Sequence, residues 1–303
     1  MTKKENLRSS KDHAEKLLED YNDVFADIIN GLVYKGTRVV REEELEAGPT
    51  ETLYKAAEGN LGEQRRDVLK RDKKNGTEYS VWFGLENQTG EDRTMPVRVM
   101  GYDYATYEQN LRRRKKGERI EPVVTLVLYF GNKRWRGPRR LHELVRLPEE
   151  IKEYVQDYGI NLVEVSYLSE EEIGRFESDF RLVAEYFRAR RLGAEEQMRY
   201  NTRTIRHVEA MLEFLRTFAR YERFEKIQEE LVESAKKGRE IKMCNLVDQW
   251  VNMGEEKGKA EGRYISLQKI IKNGIPEAEG MHLLEFTEAE AAGYRSWLSL
   301  NYK

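Results

Sequence analysis

The spacing of apolar residues predicts how the chain begins. Apolar side chains recur at helical intervals over residues 12–34, which indicates an amphipathic helix. Gly36 follows directly and is typical of a helix end. Residues 42–60 are rich in acids and contain Gly48-Pro49, so we interpret them as a loop or a weak helix.

After this stretch the spacing changes from helical to alternating. Residues 65–71 and 79–88 are predicted strands, joined by a hairpin turn over residues 72–76 that contains the turn sequence Lys-Lys-Asn-Gly. Side chains of a strand alternate between its two faces. In the second strand one predicted face carries Val81, Phe83 and Leu85, and the other carries Trp82, Gly84, Glu86 and Gln88.

A helix and a buried strand follow. Residues 95–111 are a predicted helix with Pro96 in its first turn. Its predicted core-facing stripe is Val97, Met100, Tyr104, Tyr107 and Leu111. Residues 123–130 are continuously apolar, which is typical of a strand buried on both faces, and residues 162–167 are a candidate for one more strand. This order predicts an α/β fold with a central mixed sheet flanked by helices.

The remainder of the chain is predicted to be helical. Ser169 and Glu172 form a capping box, and apolar residues then recur at helical spacing over residues 173–187, 205–218 and 224–236. We therefore expect a core domain over residues 12–168 and a helical C-terminal region over residues 169–303. The phenylalanine-rich helices fit a core or a dimer contact, so a homodimer formed through the C-terminal helices is a candidate assembly.

Charge restricts the classes of function. The 303 residues include 53 basic and 55 acidic side chains, giving a net charge of -2, so the protein is not basic as a whole. Contact with nucleic acid would require local clusters of Lys and Arg. Such clusters are Arg65-Arg66, Lys70-Arg71, Arg112-Arg113-Arg114-Lys115-Lys116, Lys133-Arg134 and Arg139-Arg140. Solvated surface charge is the alternative reading of each cluster.

Cysteine content and hydropathy bear on the compartment. Cys244 is the single cysteine, so the chain can form no internal disulfide and has no cysteine-based zinc spacing. The longest apolar run, residues 123–130, is far too short to span a membrane, and the N-terminus has no signal-peptide core. We expect a soluble cytoplasmic protein without membrane association.

The predicted hairpin brings together residues suited to phosphodiester hydrolysis. Asp67 and Glu86 lie on its two strands, where two carboxylates could bind Mg²⁺ or Mn²⁺. Gln88 lies two residues after Glu86 and therefore faces the same side of its strand. This spacing is common by chance, and a polar, solvent-facing sheet edge would show it as well.

The residues around these positions add a resemblance. Seven short segments occur in order: Gly62-Glu63-Gln64-Arg65-Arg66-Asp67-Val68, Gly84-Leu85-Glu86-Asn87-Gln88, Met95-Pro96-Val97-Arg98, Tyr102-Asp103-Tyr104-Ala105-Thr106-Tyr107, Val124-Thr125-Leu126-Val127-Leu128-Tyr129-Phe130-Gly131, Trp135-Arg136-Gly137-Pro138 and Leu141-His142-Glu143-Leu144. This series resembles the recombination-promoting nuclease family of bacterial PD-(D/E)XK proteins, whose members are also labelled transposases. The resemblance covers about residues 20–270 and is specific in its middle third.

The resemblance implies a restriction-endonuclease-like core and a Mg²⁺-dependent DNA endonuclease linked to recombination or mobile elements. It places the catalytic and metal-binding carboxylates at Asp67 and Glu86. The superfamily's usual lysine position is Gln88 here. Glutamine can orient a water molecule but cannot supply a positive charge, so the means of water activation stays open.

Two other classes of function remain open at this point. One is a catalytically silent protein that binds DNA or acts as a scaffold, and the other is a transposase in the strict sense, which joins ends as well as cutting. The sequence shows no DNA-reading module with an identifiable recognition helix, which counts against the second class.

Several further residues are weaker candidates. Asp23 and Asp27 lie on the first helix, where an extra acid could join the site, although a solvated position fits Asp27 better. Strand alternation points Lys70 away from Asp67. Further along the chain, Arg98 and Tyr104 could contact DNA or pack internally, and Trp135 could stack on a base or anchor a surface loop.

Overall fold

The computed structural model describes residues 18–55, 61–73, 80–219 and 231–301. The chain divides into two compact units, Met1–Met243 and Cys244–Lys303. The domain boundary predicted between residues 168 and 169 stays a prediction, since the division by compactness falls elsewhere. Most of the predicted hairpin turn at 72–76 lies outside the described residues.

The first unit is built on a mixed sheet of five strands, in the spatial order β1 (Leu45–Ala47), β4 (Val68–Asp72), β5 (Val81–Gln88), β6 (Val123–Tyr129) and β7 (Asn161–Glu164). The pairs β1–β4 and β4–β5 are antiparallel, and the pairs β5–β6 and β6–β7 are parallel. The predicted α/β class with a central mixed sheet is confirmed.

The acidic stretch before the sheet differs from its prediction as a loop or weak helix. It forms a single 3₁₀ turn, Glu42–Glu44, followed by β1 and by β2 (Glu51–Lys55). Strand β2 pairs antiparallel with β3 (Leu61–Arg65) as a separate two-stranded sheet. The tertiary pairing of β1 with the edge of β4 overrides the weak local preference of these residues.

One face of the sheet is covered by helix α1 (Asn22–Leu32) and by later helices. The segment after α1 places Tyr34 against Phe83 of β5, with ring centroids 6.3 Å apart. Phe130, directly after β6, packs on Phe187. The predicted helix at 12–34 is confirmed for its second half, and residues 12–17 lie outside the described residues.

The opposite face is covered by helix α2 (Met95–Arg113), which connects the parallel strands β5 and β6. Met95 and Val99 of this helix pack with Val127 and Tyr129 of β6. The predicted bounds of the helix are nearly right, but the predicted core-facing stripe is wrong. Its members Val97, Met100, Tyr104 and Leu111 are exposed.

The rotation of α2 has a physical cause in the sheet beneath it. Gly84 leaves space above β5, and this space is filled by Arg66, whose atoms would lie 2.7–3.0 Å from a side chain at that position. Asp103 and Thr106 of α2 turn inward to bind this guanidinium. A buried charge must be paired. The buried side of the helix therefore combines apolar residues such as Met95, Val99 and Ala105 with the polar Asp103 and Thr106.

The helices after the sheet belong to the same compact unit. They are α3 (Glu170–Gly174), α4 (Phe180–Leu192) and α5 (Val208–Ala219). The predicted capping box of Ser169 and Glu172 is confirmed. The apolar spacing over 173–187 does not form one continuous helix. The backbone amides of Glu177 and Ser178 bind the Asp27 carboxylate, which holds the connection between α3 and α4.

The second unit is helical, as predicted for this part of the chain. It contains α6 (Met243–Lys272) except for its first residue, together with α7 (Glu277–Leu283) and α8 (Glu288–Asn301). Tyr264, Leu267 and Tyr294 form its small core, packed against Phe286 and Trp297 among others. The third predicted helix of the earlier region, 224–236, lies mostly outside the described residues, and residues 231–236 are helical.

Candidate active site at the carboxyl end of the central strand

The structure brings Asp67, Glu86 and Gln88 together at one end of β5. Asp67 directly precedes β4, and the register pairs Val68 with Leu85, so Asp67 lies one step further along, opposite Glu86. The Asp67 carboxylate accepts a hydrogen bond of 2.8 Å from the backbone amide of Asn87. This bond fixes the half-buried aspartate beside the end of β5.

Glu86 is enclosed, with 1% of its surface exposed. Its Oε1 accepts hydrogen bonds from Gln88 Nε2 at 3.1 Å and from Arg98 Nη2 at 2.5 Å. Its Oε2 is buried and has no hydrogen-bond partner. Buried polar atoms are nearly always paired, so an oxygen left without a partner is evidence for a group that binds there.

Glu19 is a third acid beside this position, and the sequence analysis did not identify it. It lies just before α1, is buried, and accepts a hydrogen bond of 2.9 Å from Asn87 Nδ2. Asn87 thus contacts Asp67 through its backbone and Glu19 through its side chain. Helical spacing could have marked Glu19 as part of the helix beginning, but only the packing of that segment on β5 shows its proximity to Asp67.

The electrostatics of the two glutamates are unusual. Burial raises the pKa of Glu19 to about 8, and the neighbouring Asp67 charge adds to this effect. Burial and then the Asp67 charge also hold the pKa of Glu86 well above its usual range, although Arg98 and Arg66 act in the opposite direction. Nearby positive charges therefore offset only part of the effect of burial, and carboxyl groups with raised pKa values occur often at functional sites.

The donor set at this position contains two carboxylates that could bind a divalent cation. Within the described ranges, no three His, Cys, Asp or Glu side chains are grouped so that they could hold a metal ion. Mg²⁺, however, is usually bound through one or two carboxylates, with water and substrate phosphate completing its ligands. Asp67 and the unpartnered Oε2 of Glu86 supply two hard oxygen ligands of this kind.

Arg66 and Asp103 form a second charged pair close by, on the same face of β5. Arg66 Nη2 donates to Asp103 Oδ1 at 2.7 Å, and both side chains are buried. Asp103 also accepts hydrogen bonds from Thr125 and Tyr158. This pair connects the segment before β4 to α2 and β6, and its contacts indicate a structural role.

The structure also places the weaker candidates on and near the first helix. Asp27 is buried, which contradicts the solvated position favoured for it, and it binds Arg38 and the connection before α4. Asp23 binds His207 and Arg206, which lower its pKa against the effect of burial. Lys70 donates to the Asp20 carbonyl and to Asn22 Oδ1, both at 2.7 Å. Asp23 and Asp27 are therefore engaged outside the Asp67–Glu86 pair.

The candidate DNA-contacting residues also differ in whether they are exposed or are engaged within the protein. Tyr104 is 66% exposed on α2, and Arg98 is bound to Glu86. Trp135 is buried, and its ring packs edge-on against Tyr129 at 5.1 Å. Trp135 therefore anchors the loop after β6 and is not available for stacking on a base.

Fold and site together define an α/β protein with a mixed sheet and a pair of close carboxylates at the end of its central strand. A family model described as "Putative transposase, YhgA-like" matches residues 55–211, just over half of the chain. The chain belongs to this family. No curated protein and no solved structure matches the chain. Among the described helices, none has the length and apolar character required to cross a membrane.

Proposed function

We propose that the protein is a metal-dependent DNA endonuclease with a restriction-endonuclease-like core of the PD-(D/E)XK type. The observation that carries this proposal is the buried, unpartnered Oε2 of Glu86 beside Asp67. The description of the family supports DNA as the substrate and a role linked to recombination or mobile elements.

The surroundings of the carboxylates support an anionic substrate. Strands β5, β6 and β7 are parallel, so the loops that follow them lie at the same end of the sheet, where β5 carries Glu86 and Gln88. The loop after β6 exposes Lys133, Arg134, Arg136, Arg139 and Arg140 at this end of the sheet. Such residues would contact phosphates, which position DNA without specifying its sequence.

Other basic clusters of the sequence do not serve this surface. Arg66 and Lys70 are buried, and Arg71 lies opposite Trp82, at the other end of β5 from Glu86. The cluster Arg112–Lys116 lies at the C-terminal end of α2, where Asn110 contacts Trp82 at the opposite end of β5. We therefore assign DNA contact to the loop after β6.

In the proposed mechanism Asp67 and Glu86 would hold a Mg²⁺ or Mn²⁺ ion. The bound ion would neutralise the charge that develops on the phosphate. Gln88 is positioned by its hydrogen bond to Glu86, and its amide can orient the attacking water by donating and accepting hydrogen bonds. Asn87 keeps Asp67 in place through its backbone amide.

The test is a nicking assay on supercoiled plasmid with Mg²⁺, with Mn²⁺ and with a chelator. We expect nicking only with a divalent cation, and a loss of at least about 1000-fold in Asp67→Asn and in Glu86→Gln, in line with the several kcal/mol that a lost metal ligand removes. Glu108→Gln changes an exposed acid on α2 that is paired with Arg112, and it should cut like the unaltered protein.

The alternatives give different results in the same assay. A silent DNA-binding protein would bind the plasmid without nicking it under either metal. A strict transposase would join cut ends to target DNA in a strand-transfer assay. Equal nicking by Asp67→Asn, Glu86→Gln and the unaltered protein would show that the active site lies elsewhere.

A further inference from the structure

Arg98 of helix α2 contacts Glu86 at the candidate site and is partly exposed to solvent. It lies in the first turn of α2, and its Nη2 donates to Glu86 Oε1 at 2.5 Å and to the Tyr102 hydroxyl at 2.9 Å. Its Nη1 donates to Asp92 Oδ2 at 2.7 Å. The side chain is 33% exposed, whereas that of Glu86 is 2% exposed. The guanidinium therefore lies between the enclosed carboxylate and solvent.

Phosphodiester hydrolysis benefits from a positive side chain beside the phosphate. Negative charge spreads over the phosphate oxygens during the reaction, and a positioned cation stabilises it. Gln88 is neutral and cannot supply this charge. Lys70 is bound by Asp20 and Asn22, and Arg66 is buried with Asp103. Of the described cations that approach Glu86, Arg98 is the one with access to solvent.

We infer that Arg98 is the side chain that contacts the phosphate undergoing cleavage. This inference rests on the proposed nuclease function. A divalent cation held by Glu86 would balance the charge of that carboxylate, and the guanidinium of Arg98 would then not have to pair with it. Asp92 and Tyr102 keep it at the mouth of the site, where its planar donors fit two phosphate oxygens.

The reaction it assists is a simple hydrolysis. The water oxygen forms a bond to phosphorus, and the bond between phosphorus and the leaving sugar oxygen breaks. The attacking water gives up one proton to solvent, and the leaving oxygen takes one from solvent. Arg98 exchanges no proton and stabilises the charge on the oxygens that do not bridge to sugar.

The first test compares nicking by Arg98→Gln, Arg98→Lys and the control Arg112→Gln at saturating Mg²⁺. Arg112 is an exposed arginine of the same helix, paired with Glu108. We expect a loss of about 100- to 1000-fold for Arg98→Gln, the range seen when a charge-stabilising donor is removed. Arg98→Lys should lose less, and Arg112→Gln should remain within about threefold, as expected for an exposed ion pair.

A second measurement does not depend on cleavage. DNA affinity is measured with a chelator and with Ca²⁺, a hard cation that also binds carboxylates. If the cation frees Arg98 for phosphate, Ca²⁺ and DNA binding are coupled in the unaltered protein. Arg98→Gln should lose about tenfold of the affinity that Ca²⁺ adds, one lost phosphate contact being of that order. A purely structural arginine would leave this gain unchanged.

A rescue experiment completes the test. Gln88→Lys introduces a cation beside Glu86, so the double variant Arg98→Gln/Gln88→Lys should recover part of the lost nicking. Nicking by Arg98→Gln equal to that of Arg112→Gln, with an unchanged Ca²⁺ effect, would overturn this inference and leave the proposed nuclease intact. A protein with no nicking at all would overturn both. Should Arg98→Gln not fold, equal rates for Arg98→Lys and the unaltered protein would overturn the inference.

Discussion

Two buried carboxylates, Asp103 of α2 and Glu86 of β5, lie on the same side of the sheet but have opposite environments. Asp103 is 6% exposed and Glu86 is 1% exposed, so their burial is similar. Both oxygens of Asp103 are bound, one by Arg66 and Thr125 and the other by Tyr158. Glu86 has a bound Oε1 and an unpartnered Oε2, and the nearby Asp67 adds negative charge.

This difference shows how structural and functional buried charges can be told apart. A buried charge is tolerated when its partners satisfy it, because desolvation costs several kcal/mol per ion. The Asp103 carboxylate meets this condition, since Arg66, Thr125 and Tyr158 bind both of its oxygens. The Glu86 position does not meet it, so the protein maintains an unfavourable arrangement there. Such arrangements cluster at sites where a ligand supplies the missing interaction.

The largest expected effect at a fixed pH is on the free energy of unfolding. It is measured by changing the carboxylate to an amide at Asp103 and, separately, at Glu86. Asp103→Asn leaves the Arg66 guanidinium buried without its counter-charge, so we expect a loss of about 3–5 kcal/mol in the free energy of unfolding. Glu86→Gln removes a carboxylate that is costly to ionise, so the metal-free protein should be equally or more stable. Urea unfolding in a chelator measures both. Equal destabilisation by the two variants would break the comparison.

The next effect concerns the pH dependence of stability. Glu19 has a pKa of about 8 in the folded protein against 4.5 as a reference, so the folded state binds its proton more tightly. Its contribution is therefore complete below about pH 4.5 and is lost as pH rises through about 8. We expect the free energy of unfolding of the metal-free protein to decrease by about 5 kcal/mol across this window, since each pKa unit corresponds to about 1.4 kcal/mol.

Glu19→Gln supplies the control for this pH effect, because glutamine does not titrate. Unfolding experiments at several pH values in a chelator should show a flatter profile for the variant than for the unaltered protein. If the stability of both proteins changes equally with pH, Glu19 has an ordinary pKa. Its environment would then not differ from that of a fully paired acid such as Asp103.

The smallest effect separates positioning from metal binding. Gln88→Ala should lower the rate of nicking by about tenfold to a hundredfold, because it removes a positioning contact. Metal affinity should hardly change, since Asp67 and Glu86 remain. Gln88→Lys should keep part of the activity. Calorimetric metal titration beside the nicking assay checks this, and a loss of metal binding as severe as in Glu86→Gln would make Gln88 a ligand.

The sequence by itself determined the local secondary structure and the fact that Glu86 and Gln88 of the candidate site share one face of a strand. Alternation predicted β5 and the shared face of Glu86 and Gln88, and a continuous apolar run predicted β6 as a buried strand. Helical spacing gave nearly correct bounds for α2. These features depend on neighbours within a few residues, so the periodicity of the chain is enough to identify them.

Only the tertiary structure decided which polar groups find partners. The rotation of α2 follows from Arg66 filling the space over Gly84 and drawing Asp103 inward, a contact between residues 37 positions apart. Glu19 reaches Asn87 across 68 positions, and no spacing rule could predict this approach. The unpartnered oxygen of Glu86 is likewise a property of the packed protein. Whether a buried charge is satisfied depends on every surface that closes around it, and those surfaces come from distant parts of the chain.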